Sequence, residues 1–186
     1  GELLRMIRDR HPPRLLLVGR RGAGKSTLIN AIFDAPVAQI GAVRAQSGTA
    51  RWHNYEADGK VLEILDTRGI QEGQRPQEAD EAATAEESIL TAVREKCPDA
   101  LLFLCKAKEA DSAIGGDLDA VERLLLQIQS IHGRHLPIVG VLTQCDELDP
   151  PDIRRLPTDD EEKNRNIYAA VSVLQEHLVA RKTLRS

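Results

Sequence analysis

Eight residues, Gly19-Arg20-Arg21-Gly22-Ala23-Gly24-Lys25-Ser26, constrain this chain more than any other stretch. They stand directly after the apolar run Leu15-Leu16-Leu17-Val18 and directly before the helical pattern Thr27-Leu28-Ile29-Asn30-Ala31-Ile32-Phe33. In a strand, glycine-rich turn and helix of this kind, the glycines let the backbone curl so that successive N–H groups point at one anion. The helix N-terminus behind them adds partial positive charge. A lysine closing such a turn reaches the β and γ phosphates of a nucleoside triphosphate, and the hydroxyl after it ligates Mg2+. Phosphate contacts are therefore expected from Arg21, Gly22, Ala23, Gly24, Lys25, Ser26 and Thr27, with Lys25 assisting catalysis and Ser26 on the metal. The competing reading, a glycine-rich turn with an incidental lysine, lacks an account of the strand before it and the helix after it.

The remaining apolar pattern supplies the sheet that such a loop needs. Thr49 to Ala57 and Lys60 to Leu65 read as strands joined at Asp58-Gly59, a dipeptide suited to a tight antiparallel turn. A polar, alanine-rich stretch from Gln77 to Lys96, with Ala82, Ala85, Ile89, Leu90 and Val93 near helical spacing, precedes the apolar run from Ala100 to Cys105. Another helix is expected from about Leu118 to Ile131, a strand over Ile138 to Leu142, and a last helix over roughly Glu161 to Arg181. Apolar strands alternating with amphipathic helices predict a three-layer α/β fold with a mostly parallel sheet and one antiparallel strand. Ligands in such folds sit at the carboxyl ends of the strands, where the glycine loop, Asp66 and Asp146 all fall. Residues 1–14, with Leu3, Leu4, Met6 and Ile7 beside Arg5, Arg8, Arg10 and Arg14, read as a lead-in helix or linker ahead of a nucleotide-binding domain over residues 15–186.

Composition narrows the partners. A length of 186 residues suits one domain, and no apolar run approaches the ~20 residues that cross a bilayer. A formal charge of −4 with 3% aromatic residues argues against direct nucleic-acid binding by this segment. Cys97, Cys105 and Cys145 are too scattered for a disulfide framework or a zinc site, which suits a reducing, cytoplasmic setting. The five histidines form no Ser-His-Asp pattern.

Two further boxes bear on the nucleotide. Asp66-Thr67-Arg68-Gly69 follows a strand and offers a carboxylate for Mg2+ and a glycine N–H for the γ-phosphate, in a form common to many phosphate-loop ATPases. Thr143-Gln144-Cys145-Asp146 follows another strand, and a fixed carboxylate there can accept hydrogen bonds from two adjacent guanine N–H groups that adenine lacks. The order of the glycine loop, a threonine, D-x-x-G and T-x-x-D, with Lys25-Ser26-Thr27-Leu28-Ile29-Asn30-Ala31 opening the first helix, resembles the Era-like subgroup of translation-factor-related P-loop GTPases over about Leu15 to Arg181.

That resemblance implies a regulatory GTPase that binds GTP and GDP with Mg2+ and hydrolyses GTP slowly without a partner. Thr143, Gln144 and Asp146 would hold the base, Asp66 and Gly69 would report the γ-phosphate, and Thr49 would complete the metal site, the alternative for Thr49 being a plain residue at the start of a strand. An interaction module with negligible turnover, working on a protein effector or on a second copy through the nucleotide face, is the second reading, and a phosphate-loop ATPase the third. The chain departs from the family's pattern in five places, one of them Ala50, where many relatives carry an arginine directly after the threonine. Gln144 replaces a lysine whose stem covers guanine, Ile70 stands where some members carry a water-positioning glutamine, and Gly22 replaces a potassium-binding asparagine. After Arg181 too few residues remain for the usual last strand and helix, so a C-terminally truncated domain is expected.

Overall fold

The computed structural model of the chain describes residues 11–20, 22–33, 50–57, 60–66, 85–111 and 114–184. Among the described residues five strands form one sheet: β1 (Arg14–Gly19), β2 (Arg51–Ala57), β3 (Lys60–Asp66), β4 (Ala100–Lys106) and β5 (Ile138–Thr143), in the spatial order β2-β3-β1-β4-β5. β1 runs parallel to β3 and β4, and β4 parallel to β5, while β2 and β3 pair antiparallel. The mostly parallel sheet with one antiparallel strand is the architecture that the sequence predicts. Among the described residues four α-helices accompany it: α1 (Lys25–Phe33), α2 (Ala85–Glu95), α3 (Ile114–His132) and α4 (Glu161–Ala180). No described helix is long and apolar enough to cross a membrane.

Successive side chains of a strand point to opposite faces, and both faces of this sheet are covered. Leu16, Val18, Leu101, Phe103 and Cys105 join Ile89 and Val93 of α2, Leu118, Val121, Leu124 and Ile128 of α3, and Leu174 of α4 in one apolar cluster. Leu17, Ile64 and Leu104 pack with Ile29 of α1 and with Tyr55 and Leu62 in a second cluster on the other face. Fully burying each leucine is worth roughly 1.5–3 kcal/mol, so the β1 run Leu16-Leu17-Val18, at most 2% exposed, fixes the strand that leads into the glycine loop.

β1 and β4 approach closely at the start of that loop. A Cβ on Gly19 would lie 2.6 Å from the Leu104 carbonyl oxygen, a backbone atom that cannot swing aside. Gly19→Ala is expected to destabilise by about 2 kcal/mol through overpacking and to lower Tm by roughly 5 °C. Gly115→Ala in α3, where an added Cβ meets nothing within 4 Å, should leave Tm unchanged or raised. Equal melting temperatures for Gly19→Ala and the wild type would refute the close approach.

α3 begins at Ile114, earlier than the expected Leu118. Gly115 and Gly116 disfavour helix locally, but Ile114, only 2% exposed, anchors the added turn in the core, and Asp117 within it is tied to the glycine loop. On the far side of the sheet from the loop, Glu63 is buried between Arg14 and Lys96, whose Nε and Nζ donate to its two carboxylate oxygens at 2.6 and 2.8 Å. Burial pushes the Glu63 pKa up, but the two cations outweigh it and hold the carboxyl below its ordinary value.

Candidate functional site

β1, β3 and β5 all run in the same direction, so Gly19, Asp66 and Thr143 end on one edge of the sheet. Register makes this concrete: Leu17 pairs with Asp66, Gly19 with Leu104, and Lys106 with Thr143. Ser26 and Thr27 are exposed in the first turn of α1, directly after the loop. Gly22 and Gly24 adopt φ of +75° and +83°, the left-handed region that side chains avoid, which is why these two turn positions are glycine. Ala23, 2% exposed, closes the turn through a hydrogen bond from its N–H to the Arg20 carbonyl at 3.1 Å.

Lys25 Nζ donates to the Gly19 carbonyl at 2.9 Å and the Arg20 carbonyl at 3.3 Å, which folds the ammonium back over its own loop. Arg20 donates through Nε to Asp117 Oδ2 at 2.7 Å and so ties the start of the loop to α3. Burial raises the Asp117 pKa, with the Arg20 guanidinium opposing the rise.

The T-x-x-D segment sits against the same loop. Gln144 Nε2 donates to the Gly22 carbonyl at 2.9 Å, and a Cβ on Gly24 would lie 3.5 Å from the Thr143 side chain. Gln144 itself takes a left-handed backbone, φ 54°, which turns the chain from β5 into the short helical turn Cys145–Glu147. Asp146 stands in that turn, and its carbonyl accepts from Lys163 Nζ at 2.7 Å. The structure thus brings together Gly22, Ala23, Gly24, Lys25, Ser26, Thr27, Thr143, Gln144 and Asp146 of the residues expected from the sequence. Asp66 is described by its place in β3, next to β1. Arg21, Thr49, Gly69 and the Asp58-Gly59 turn lie outside the described residues, as do Arg68, Ile70 and Gln71.

Three contributors carry weaker sequence signals. Lys106, at the carboxyl end of β4, brings Nζ within 3.8 Å of where a Gly22 Cβ would be, and pairs with Glu109 at 3.5 Å. Its position after an apolar strand was the available clue. Asp117 and Lys163 act on the loops from helices distant in sequence. The cysteines offer no nucleophile: burial, with Glu109 and Asp117 adding to it, pushes the Cys105 thiol up to about 11, and burial together with Asp146 raises that of Cys145. Among the described residues no cluster of His, Cys, Asp and Glu could hold a metal by itself. Ser26, exposed in the first turn of α1, and Asp66, by residue type at the carboxyl end of β3, are hard oxygen donors of the kind that suit Mg2+, which would draw its remaining ligands from phosphate and water.

Comparison with known proteins gives the family and agrees with the fold. The sequence model described as "50S ribosome-binding GTPase" matches residues 14–144. GTPase Der of Hyphomonas neptunium is 30% identical over 104 residues, 56% of this chain and 20% of that protein. The tRNA modification GTPase MnmE of Methylococcus capsulatus is 27% identical over 105 residues, 55% of this chain and 22% of that protein. The chain thus spans about a fifth of the length of these curated relatives. Among solved structures, Toc33 from Arabidopsis thaliana in complex with GDP and Mg2+ superposes with a TM-score of 0.61 at 19% identity, over 98% of this chain and 68% of that one.

Proposed function

The chain belongs to the 50S ribosome-binding GTPase family, and from that premise we propose that it is a guanine-nucleotide switch that hydrolyses Mg2+-bound GTP slowly. The observation that carries this reading is the joining of the base-recognition segment to the phosphate loop. The Gln144 amide on the Gly22 carbonyl and Thr143 against Gly24 bring the turn that carries Asp146 against the glycine loop, which supports this reading. That spacing suits a ligand with a planar base at one end and a polyphosphate at the other.

In the proposed complex the N–H groups of 22–27 cradle the phosphates, and Lys25 turns from the Gly19 and Arg20 carbonyls to the β and γ oxygens. The Asp146 carboxylate accepts from guanine N1–H and the exocyclic amine. Ser26 and Asp66 would hold Mg2+, with Thr49 as a further ligand. The chemistry this ion supplies is neutralisation of the charge on the β and γ phosphates. Thr49 and Gly69 then sense the γ-phosphate, and its loss on hydrolysis releases the segments that carry them. Within the family we place the chain in the Era-like subgroup, on the run from Lys25 to Ala31 and the antiparallel β2, and in the cytoplasm, in keeping with its three free cysteines.

Ile70 favours a second reading, in which a partner supplies what orients the attacking water and a second copy meeting the nucleotide face is the nearest candidate. One titration series tests both. Fluorescent GDP and GTP analogues should bind in the presence of Mg2+, and the ATP analogue should not. Equal binding of ATP would remove the guanine reading. A hydrolysis rate per molecule that rises with protein concentration would favour self-activation, and a constant rate would favour turnover by the single chain.

A further inference from the structure

α4 opens with Asp160, whose carboxylate accepts from the Lys163 N–H at 2.7 Å and caps the helix. The first turn carries Glu161 and Glu162, as the helix dipole favours, and then Lys163, a cation at the pole where cations are disfavoured. Lys163 is also fully buried. An ammonium in that position needs every one of its three donors satisfied, and a methionine would fill the same space without that requirement. The three donors are all taken by main-chain carbonyls: Asp146 at 2.7 Å, Pro150 at 3.2 Å, and Leu148. Those carbonyls belong to alternate residues of one segment, so the chain after β5 wraps around a single nitrogen.

Neighbouring side chains of α4 hold the same loop. Asn166 Nδ2 donates to the Asp149 carbonyl and Asn164 Nδ2 to the Thr158 carbonyl, both at 2.9 Å. On the other side, the Glu147 N–H donates to the Gln144 carbonyl at 3.0 Å, closing the turn that contains Asp146. The main chain of Asp146 is therefore held by Lys163 at its carbonyl and lies within the turn that the Glu147 N–H closes, and the residue is half-buried.

We propose that Lys163 is a positioning residue for base selection, its buried ammonium holding the Asp146, Leu148 and Pro150 carbonyls so that the Asp146 carboxylate is pre-aimed at the guanine amine. This rests on the guanine-binding reading above. The alternative is a lysine that only stabilises the loop, and the two differ in what they do to the base. Inosine diphosphate lacks the exocyclic amine of GDP, so the ratio of the two affinities reports the aim of the carboxylate apart from the phosphate contacts.

The test is calorimetric titration of the full chain with GDP, IDP and ADP in Mg2+, for the wild type, Lys163→Met and Lys163→Arg. The wild type should prefer GDP to IDP about tenfold, the value of one charge-assisted hydrogen bond. Lys163→Met should bring that ratio close to one, GDP losing more affinity than IDP because IDP has only the N1–H bond to lose. Lys163→Arg, whose planar fork cannot converge on three carbonyls around one nitrogen, should fall between. A folded Lys163→Met that keeps the wild-type ratio, or that loses GDP and IDP affinity equally, overturns the inference. If Lys163→Met does not fold, Lys163→Arg is read by the same criteria. If circular dichroism shows neither folded, the lysine is structural and the inference also falls. A wild type that binds GDP no better than ADP removes the guanine reading itself, a result distinct from any change in the GDP to IDP ratio.

Discussion

Lys25→Ala should weaken GTP and GDP binding by about a thousandfold while leaving the melting temperature of the nucleotide-free chain nearly unchanged. The first half follows from the charge. Lys25 is the loop's last residue before Ser26, and its ammonium would give up the Gly19 and Arg20 carbonyls for two phosphate oxygens. Charge-assisted hydrogen bonds of that kind contribute about 1.5–3 kcal/mol each, and about 1.4 kcal/mol is tenfold in affinity, so losing two approaches three decades. The second half follows from the partners in the free state. Both carbonyls lie in a half-buried setting on the loop itself, where water can take the place of the ammonium. Isothermal titration with GDP and a thermal melt of the same sample separate the two effects. Unchanged affinity would dismiss the glycine loop as a phosphate site, and a large drop in Tm with modest loss of affinity would make Lys25 a loop brace.

What could be read from the sequence were the features written in short stretches. The Leu15 to Val18 run, the glycines and the helical pattern after them placed β1, the loop and α1, because strand, turn and helix signals there are all local. Asp58-Gly59 between two apolar runs gave the antiparallel pair, and the structure pairs Ala57 with Lys60 across it. T-Q-C-D at the end of an apolar run placed Thr143 and Asp146 at the carboxyl end of β5, on the same edge of the sheet as the glycine loop. What stayed hidden depends on contacts between residues far apart in the chain. Arg20 and Asp117 are 97 positions apart, and nothing around either residue names the other. The early start of α3 at Ile114 contradicts local propensity because burial of one isoleucine outweighs two glycines. Lys163 looked like one more charge in the polar run Asp159-Asp160-Glu161-Glu162-Lys163, and only the course of residues 144–160 around it reveals a buried ammonium. Gln144 read as a loss, a shorter side chain in place of a base-covering lysine. In the structure its amide reaches the Gly22 carbonyl and couples the T-x-x-D segment to the glycine loop.

Asp146→Asn is expected to move base preference from guanine toward xanthine without unfolding the chain. A carboxylate presents two acceptors to the N1–H and exocyclic amine of guanine, whereas an amide presents one acceptor and one donor pair. The amide donor then faces the guanine amine, donor against donor. Losing both charge-assisted bonds is worth about 3–4 kcal/mol, a fall of two to three decades in GTP affinity. Xanthine carries a carbonyl where guanine carries the amine, so the same amide donor finds an acceptor, and XTP binding should rise above that of the wild type. The fold should tolerate the change because Asp146 is held by Lys163 through its main-chain oxygen, which asparagine keeps. Competition titrations of GTP, XTP and ATP against one fluorescent nucleotide, read beside a thermal melt, give the answer. An unchanged preference for GTP would show that another residue reads the base. A uniform loss of all three nucleotides at unchanged Tm would mean that Asp146 serves the site as a whole, through the phosphate loop to which Gln144 ties its turn, and not through the guanine edge.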